Sequence, residues 1–209
     1  MPLRPHSTVL VFVLLVTTTA HAQRQAAPAA ASVEAIVEAL AVPAGGTACE
    51  VGAGDGALSI AIAQKLGPAG AVLANELGEG KITALQRAVA ASAGARITVV
   101  AAGDTTTNFP DGRCDAVVLK DVYHHLTDPA AVNRSILRAL KPGGRIVVVD
   151  FTPPGEEAPT PADRGKDGMH GVHPATVERE LKDAGFETVP DPAPREQRWF
   201  MVIMARPAR

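Results

Sequence analysis

Glu50-Val51-Gly52-Ala53-Gly54-Asp55-Gly56 is the stretch whose reading decides the fold. Before it, Thr47–Val51 predicts a short apolar strand. After it, Leu58, Ile60, Ala61, Ile62 and Leu66 predict a helix over residues 56–66. Glycines between a strand and a helix let the backbone turn tightly and approach a ligand. The free N–H groups of the helix then point into the same space.

Outward from this turn the alternation repeats. Ser32 predicts a cap for a helix over Val33–Leu40, and Pro43 to Gly46 a turn. Strands are expected over 71–75, 96–101, 115–119 and 145–149, and helices over 79–92 and 129–140. Lys141-Pro142-Gly143-Gly144 reads as a stop and a turn. The strands are nearly solid apolar runs separated by amphipathic helices, so the sheet is parallel and covered on both faces. A Pro-, Gly- and charge-rich loop follows over 151–173. A helix over 174–184 and two short strands over 186–189 and 199–204 then fit an antiparallel pair at the sheet edge.

The chain has 209 residues, 46% of them hydrophobic and only 3% aromatic. That suits one α/β domain whose core is Ala, Val, Leu and Ile. A formal net charge of -2 gives no electrostatic footprint for nucleic acid. The two cysteines, Cys49 and Cys114, fall on strands and read as buried thiols, a bridge being open only in an oxidising compartment. No cysteine spacing reads as a zinc site, and no metal is expected.

The first residues follow a different logic. Arg4 and His6 precede eight apolar residues, Val9 to Val16, and Ala20-His21-Ala22 has the small-x-small pattern of a cleavage site. The run falls short of the roughly 17–25 residues of a membrane span. Residues 1–22 therefore read as a secretory signal peptide, 23–31 as a tether and 32–209 as the domain. The protein is expected to be exported, periplasmic or secreted, with no stable membrane span after cleavage. An uncleaved amino-terminal anchor is the alternative.

In an open α/β sheet, ligands bind beyond the carboxyl ends of the strands. Those ends carry Glu50 to Gly56, Glu76, Asp104, Lys120 to His125 and Asp150. Glu76 is placed to accept from both hydroxyls of a ribose, and Asp104 from an adenine amino group. Gly52-x-Gly54-x-x-Ala57 also satisfies a dinucleotide fingerprint. Asp55 and Glu50 oppose that reading, because a diphosphate would be repelled where a sulfonium and an ammonium would be tolerated.

Taken together, Glu50-Val-Gly-Ala-Gly-Asp-Gly56, Glu76, Gly103-Asp104, Asp121-Val-Tyr-His-His-Leu126 and Leu140-Lys-Pro-Gly-Gly-Arg-Ile-Val-Val-Val-Asp150 resemble the class I S-adenosylmethionine-dependent methyltransferase family, especially its small-molecule and quinone-type branch. The resemblance covers about residues 32–204. It implies a three-layer Rossmann-like α/β sandwich, a seven-stranded mostly parallel sheet in the order 3-2-1-4-5-7-6 with strand 7 antiparallel, and S-adenosyl-L-methionine as cofactor. It places Gly52, Gly54 and Gly56 along the methionine and ribose portion, and Glu50 and Asp121 near the methionine amino end. Glu76 falls on the ribose diol, and Asp104 with Thr105 on the adenine.

The reaction so implied moves a methyl group to a small-molecule acceptor. His124, His125 and His170 are candidate bases, because an imidazole titrates near neutrality. Tyr123 and His173 are candidate acceptor-binding residues. Two alternatives stay open: an NAD(P)-dependent oxidoreductase, and a non-catalytic cofactor-binding domain of the same fold.

Overall fold

The computed structural model describes residues 32–92, 96–190, 195–196 and 198–209. The proposed signal peptide and tether lie outside the described residues. Eight strands, β1 (Thr47–Val51), β2 (Ala71–Glu76), β3 (Ile97–Ala101), β4 (Cys114–Lys120), β5 (Leu140–Phe151), β6 (Glu187–Thr188), β7 (Arg195–Glu196) and β8 (Trp199–Ala205), form one sheet. Among the described residues, five α-helices accompany them: α1 (Val33–Leu40), α2 (Ala57–Leu66), α3 (Glu79–Ala91), α4 (Pro129–Ala139) and α5 (Pro174–Asp183).

The strand order is β3-β2-β1-β4-β5-β8-β6, with the two-residue β7 paired to β8 off this path. Strands β1 to β5 are parallel, and β8 runs antiparallel between β5 and β6. With β8 as the family's seventh strand, this is the topology the resemblance implies. It places the β1–α2 turn at the point where the order reverses, beside the end of β4.

Alternation along the strands divides the core. Cys49, Val51, Val117, Leu119, Ile146 and Val148 face one way, against Ile136 and Leu181 of α4 and α5. Ala48, Val72, Ala116, Val118, Val147 and Val149 face the other way, against α1 and α2. Ser32 accepts from the Ala35 N–H at 3.1 Å and caps α1. Among the described residues, no helix is long and apolar enough to cross a membrane.

Cys49 and Cys114 are joined in a disulfide, with Cα atoms 5.9 Å apart; they are not two free thiols. Their strands are sheet neighbours, and both side chains face the same core cluster. Residues 141–144, expected as a stop and a turn, belong instead to β5: Cys114 pairs with Leu140, and the register shifts before Ala116 pairs with Arg145. The Pro-Gly-Gly turn is absorbed as an irregularity in a longer strand.

Candidate functional site

At the end of β1 the chain enters the left-handed region at Gly52 and Gly54, with φ of 69° and 55°. A Cβ on Gly52 would lie 2.7 Å from Val122 Cγ2, so the turn packs against the end of β4. A Cβ on Gly54 would meet no atom within 4 Å. The two N–H groups are held by β2: Gly52 donates to Asn75 Oδ1 at 3.0 Å and Gly54 to Glu76 Oε2 at 2.8 Å. Asn75 is a site residue the sequence reading missed. Its Nδ2 donates to the Thr107 carbonyl at 2.8 Å, tying the turn to the segment after β3. Its only signal is a polar residue ending an apolar strand.

Glu76 is nearly buried and also accepts from the Leu77 N–H at 2.9 Å. Two backbone donors therefore fix its carboxylate at the rim of the turn, and its remaining lone pairs are open to other donors. Asp55 turns back to accept from the Ala57 N–H at 3.0 Å. The amino-terminal end of α2, where a phosphate would sit, thus has a carboxylate of its own. Asp104 and Thr105 are exposed on the loop after β3.

Glu50 is buried, and its Oε2 accepts from the Ser59 hydroxyl of α2. Burial raises its pKa from 4.5 to about 7; the Ser59 hydrogen bond opposes the rise, and the Asp55 charge adds to it. A carboxyl whose folded pKa is raised stabilises the fold fully below its unfolded pKa, and that stability is lost as pH rises through the folded value. The window is therefore about pH 4.5 to 7. Glu50→Gln is expected to flatten the pH dependence of unfolding there and to stabilise the protein at pH 8 by up to about 3 kcal/mol. Denaturant unfolding of both proteins at pH 5 and pH 8 checks this, and parallel pH dependences would refute it.

Asp121 follows β4 with φ of 58°, a conformation that costs energy in a non-glycine residue. Its Oδ2 accepts from Lys120 Nζ. Its Oδ1 is buried and, among the described residues, has no hydrogen-bond partner. A one-turn 3₁₀ helix over Tyr123–His125 comes next. His124 is fully buried: its Nδ1 is 2.8 Å from Asp150 Oδ1, and its Nε2 is 2.8 Å from His170 Nε2. His125 is exposed, with its ring centroid 4.0 Å from that of His124. Partial burial lowers the His125 pKa, and the neighbouring His124 and His170 lower it further. Phe151 lies against both His124 and His170.

The structure thus brings His124, His125 and His170 together: one ligand nitrogen from each lies within 4.8 Å of the others. Tyr123 does not join them. It is buried in the core, its hydroxyl donating to Glu180 at 3.0 Å and accepting from Asn133 at 2.8 Å. Burial and the Glu180 charge push its pKa upward. The acceptor-binding role expected for Tyr123 is therefore corrected. His173 caps α5 by its backbone, whose N–H donates to Glu157 at 3.3 Å, and it lies outside the histidine cluster.

The loop over 151–173 is ordered by Arg164, which sequence reasoning missed. Arg164 is 4% exposed and donates to both oxygens of Glu180, at 2.6 and 3.2 Å. Burial works to lower its pKa, and Glu180 and Glu157 outweigh that and raise it. Glu157 in turn accepts from the Thr176 hydroxyl at 2.8 Å.

Comparison with known proteins bears on this edge of the sheet. Residues 49–148 match the family described as a methyltransferase domain. Over that segment the chain is similar to methyltransferase domains. It is 34% identical over 111 residues to phosphoethanolamine N-methyltransferase 1 of Arabidopsis thaliana, covering 51% of this chain and 22% of that protein. It is 32% identical over 123 residues to the ubiquinone/menaquinone biosynthesis C-methyltransferase UbiE of Pseudomonas putida, covering 56% of this chain and 46% of that one. The chain therefore spans less than half the length of these curated relatives. In structure it resembles a SAM dependent methyltransferase from Aquifex aeolicus, with a TM-score of 0.68 at 19% identity over 84% of this chain and 89% of the other. An oxidoreductase gains no support from these matches.

The atoms at this edge of the sheet fit S-adenosylmethionine. The unpartnered Asp121 Oδ1 suits an ammonium donor. The open side of Gly54 leaves room for close approach, and Glu76 offers fixed acceptor oxygens beside it. These residues fit a cationic cofactor with a ribose diol.

Proposed function

We propose that the chain is an S-adenosylmethionine-dependent methyltransferase acting on a small-molecule acceptor. The observation that carries this is the pairing of Glu76 with the Gly54 N–H, which sets a fixed carboxylate against the glycine turn. Bound there, the cofactor supplies a methyl group on a sulfonium, open to in-line displacement. Glu76 accepts from the ribose hydroxyls, Asp121 from the methionine ammonium, and Asp104 with Thr105 borders the adenine. Glu50 acts from behind the turn, through α2. The protein's part in the displacement is alignment and exclusion of water. The acceptor enters between the Tyr123–His125 turn and the 151–173 segment, beside the histidine cluster.

Export is part of this proposal. The apolar run Val9 to Val16 with Ala20-His21-Ala22 supports it, and so does a buried disulfide, since such bonds persist in oxidising compartments. A reporter fused after residue 30 is expected outside the cytoplasm, and its retention inside would sink this part.

Calorimetry with S-adenosylmethionine tests the activity's first requirement. Glu76→Ala removes two charge-assisted hydrogen bonds, each worth about 1.5–3 kcal/mol, so affinity is expected to fall about 100-fold or more. Glu76→Gln keeps an oxygen for the Gly54 N–H and is expected to lose less. Tight NADH binding with no S-adenosylmethionine binding would overturn the assignment.

A further inference from the structure

We propose that His124, His125 and His170 form a binding site for a divalent first-row transition metal ion of the zinc class. Asp150 is fully buried at the end of β5. Its carboxylate accepts from the backbone N–H groups of His124 (3.2 Å) and Phe151 (2.8 Å), and faces His124 Nδ1 at 2.8 Å. With a carboxylate on Nδ1, that nitrogen carries the proton. The lone pair of His124 is then on Nε2, aimed at His170. A carboxylate that orients an imidazole from behind in this way is the usual outer support of a metal-ligating histidine.

His170 arrives from a different part of the chain, 46 residues further on, with its Nε2 2.8 Å from that of His124. His125 closes the group, its ring centroid 5.5 Å from that of His170. Apolar burial does not force this convergence, because His125 and His170 are both exposed. The segment that carries His170 is held by the ion pairs of the buried Arg164 and by the Gly171 N–H donating to the Arg164 carbonyl at 3.1 Å. One imidazole nitrogen from each of three residues, on two separate segments, therefore lies within 4.8 Å of the others.

The donor set selects the ion. Imidazole suits zinc, copper and nickel, whereas magnesium and calcium take oxygen ligands. At metal–nitrogen distances of about 2.0–2.1 Å, tetrahedral ligand nitrogens stand about 3.3 Å apart. The His124–His170 separation of 2.8 Å reaches that with a widening of about half an ångström on the exposed His170 side. Three protein ligands leave the fourth position for water or a substrate atom, as in catalytic rather than structural sites.

The test uses the full chain without a histidine tag, stripped with chelator and titrated with zinc sulfate by calorimetry and equilibrium dialysis. One equivalent is expected to bind, and magnesium none. His170→Ala is expected to weaken binding at least about 100-fold through loss of a ligand, and Asp150→Asn about 10- to 100-fold through loss of the orienting carboxylate. Cobalt in place of zinc is expected to give the visible spectrum of a four-coordinate ion, absent in His170→Ala. Binding of less than about 0.1 equivalent, or an affinity unchanged in both His170→Ala and His125→Ala, would overturn the site. The titration needs neither cofactor nor acceptor, so its failure leaves the methyltransferase proposal standing, and the converse also holds.

Discussion

Reduction of the Cys49–Cys114 disulfide is expected to destabilise the protein by about 4 kcal/mol. The bond closes a sequence separation of 65 residues, and the loss of loop entropy from the unfolded chain sets that magnitude. Both sulfurs are fully buried, so a reductant reaches them only when the β1–β4 region opens. Two measurements check this. Urea unfolding with and without dithiothreitol should differ by about 4 kcal/mol, equivalent to roughly 10 °C in midpoint for a domain of this size. Thiol titration of the folded protein under mild reductant should find both cysteines blocked, with release only near the unfolding transition. Superimposable unfolding curves would show that the bond contributes nothing. The effect bears on where the protein works, because a reducing cytoplasm would remove a contribution comparable to much of a typical domain's net stability.

The architecture was legible because its strands are almost unbroken apolar runs with Gly and Pro stops between them. Val117–Leu119 and Ile146–Val149 cannot be amphipathic surface elements, and both prove fully buried. The strand-end rule then led to Glu76, Asp121 and His124 without three-dimensional information. The rest depended on distances that a sequence does not contain. Cys49 and Cys114 were visible as strand residues, but whether neighbouring strands bring two sulfurs into bonding range depends on register and side-chain direction. In Tyr123-His124-His125, a turn of 3₁₀ helix sends one aromatic into the core and leaves His125 in solvent. Adjacent residues give no sign of which goes where. His170 was a candidate only as a loop histidine. Its meeting with His124 is fixed by the path of residues 151–173, which turns on a buried arginine within a segment whose composition reads as solvated loop.

That arginine carries the second large prediction. Arg164→Met is expected to destabilise the protein by about 3–5 kcal/mol. Removing one partner of a buried pair leaves the other charge without compensation, and here two carboxylates are stranded, Glu180 and Glu157. Glu180 also accepts from the Tyr123 hydroxyl, which itself accepts from Asn133 of α4, so the loss reaches the packing of α4 against α5. Arg164→Lys is not expected to restore stability, because an ammonium cannot engage both oxygens of Glu180 as the guanidinium does. Arg164→Met combined with Glu180→Leu removes a charge from each side and should recover part of the loss, since apolar replacement of a whole buried pair is often tolerated. Urea denaturation of the three variants separates these outcomes, and an Arg164→Met protein within about 1 kcal/mol of the parent would refute the account. Zinc binding supplies a second readout. Arg164 is no ligand, yet the same segment positions His170, so the Met variant is expected to bind zinc more weakly even where it remains folded. A chain that lost stability while keeping its zinc affinity would show that the histidine cluster is held independently of the Arg164 network.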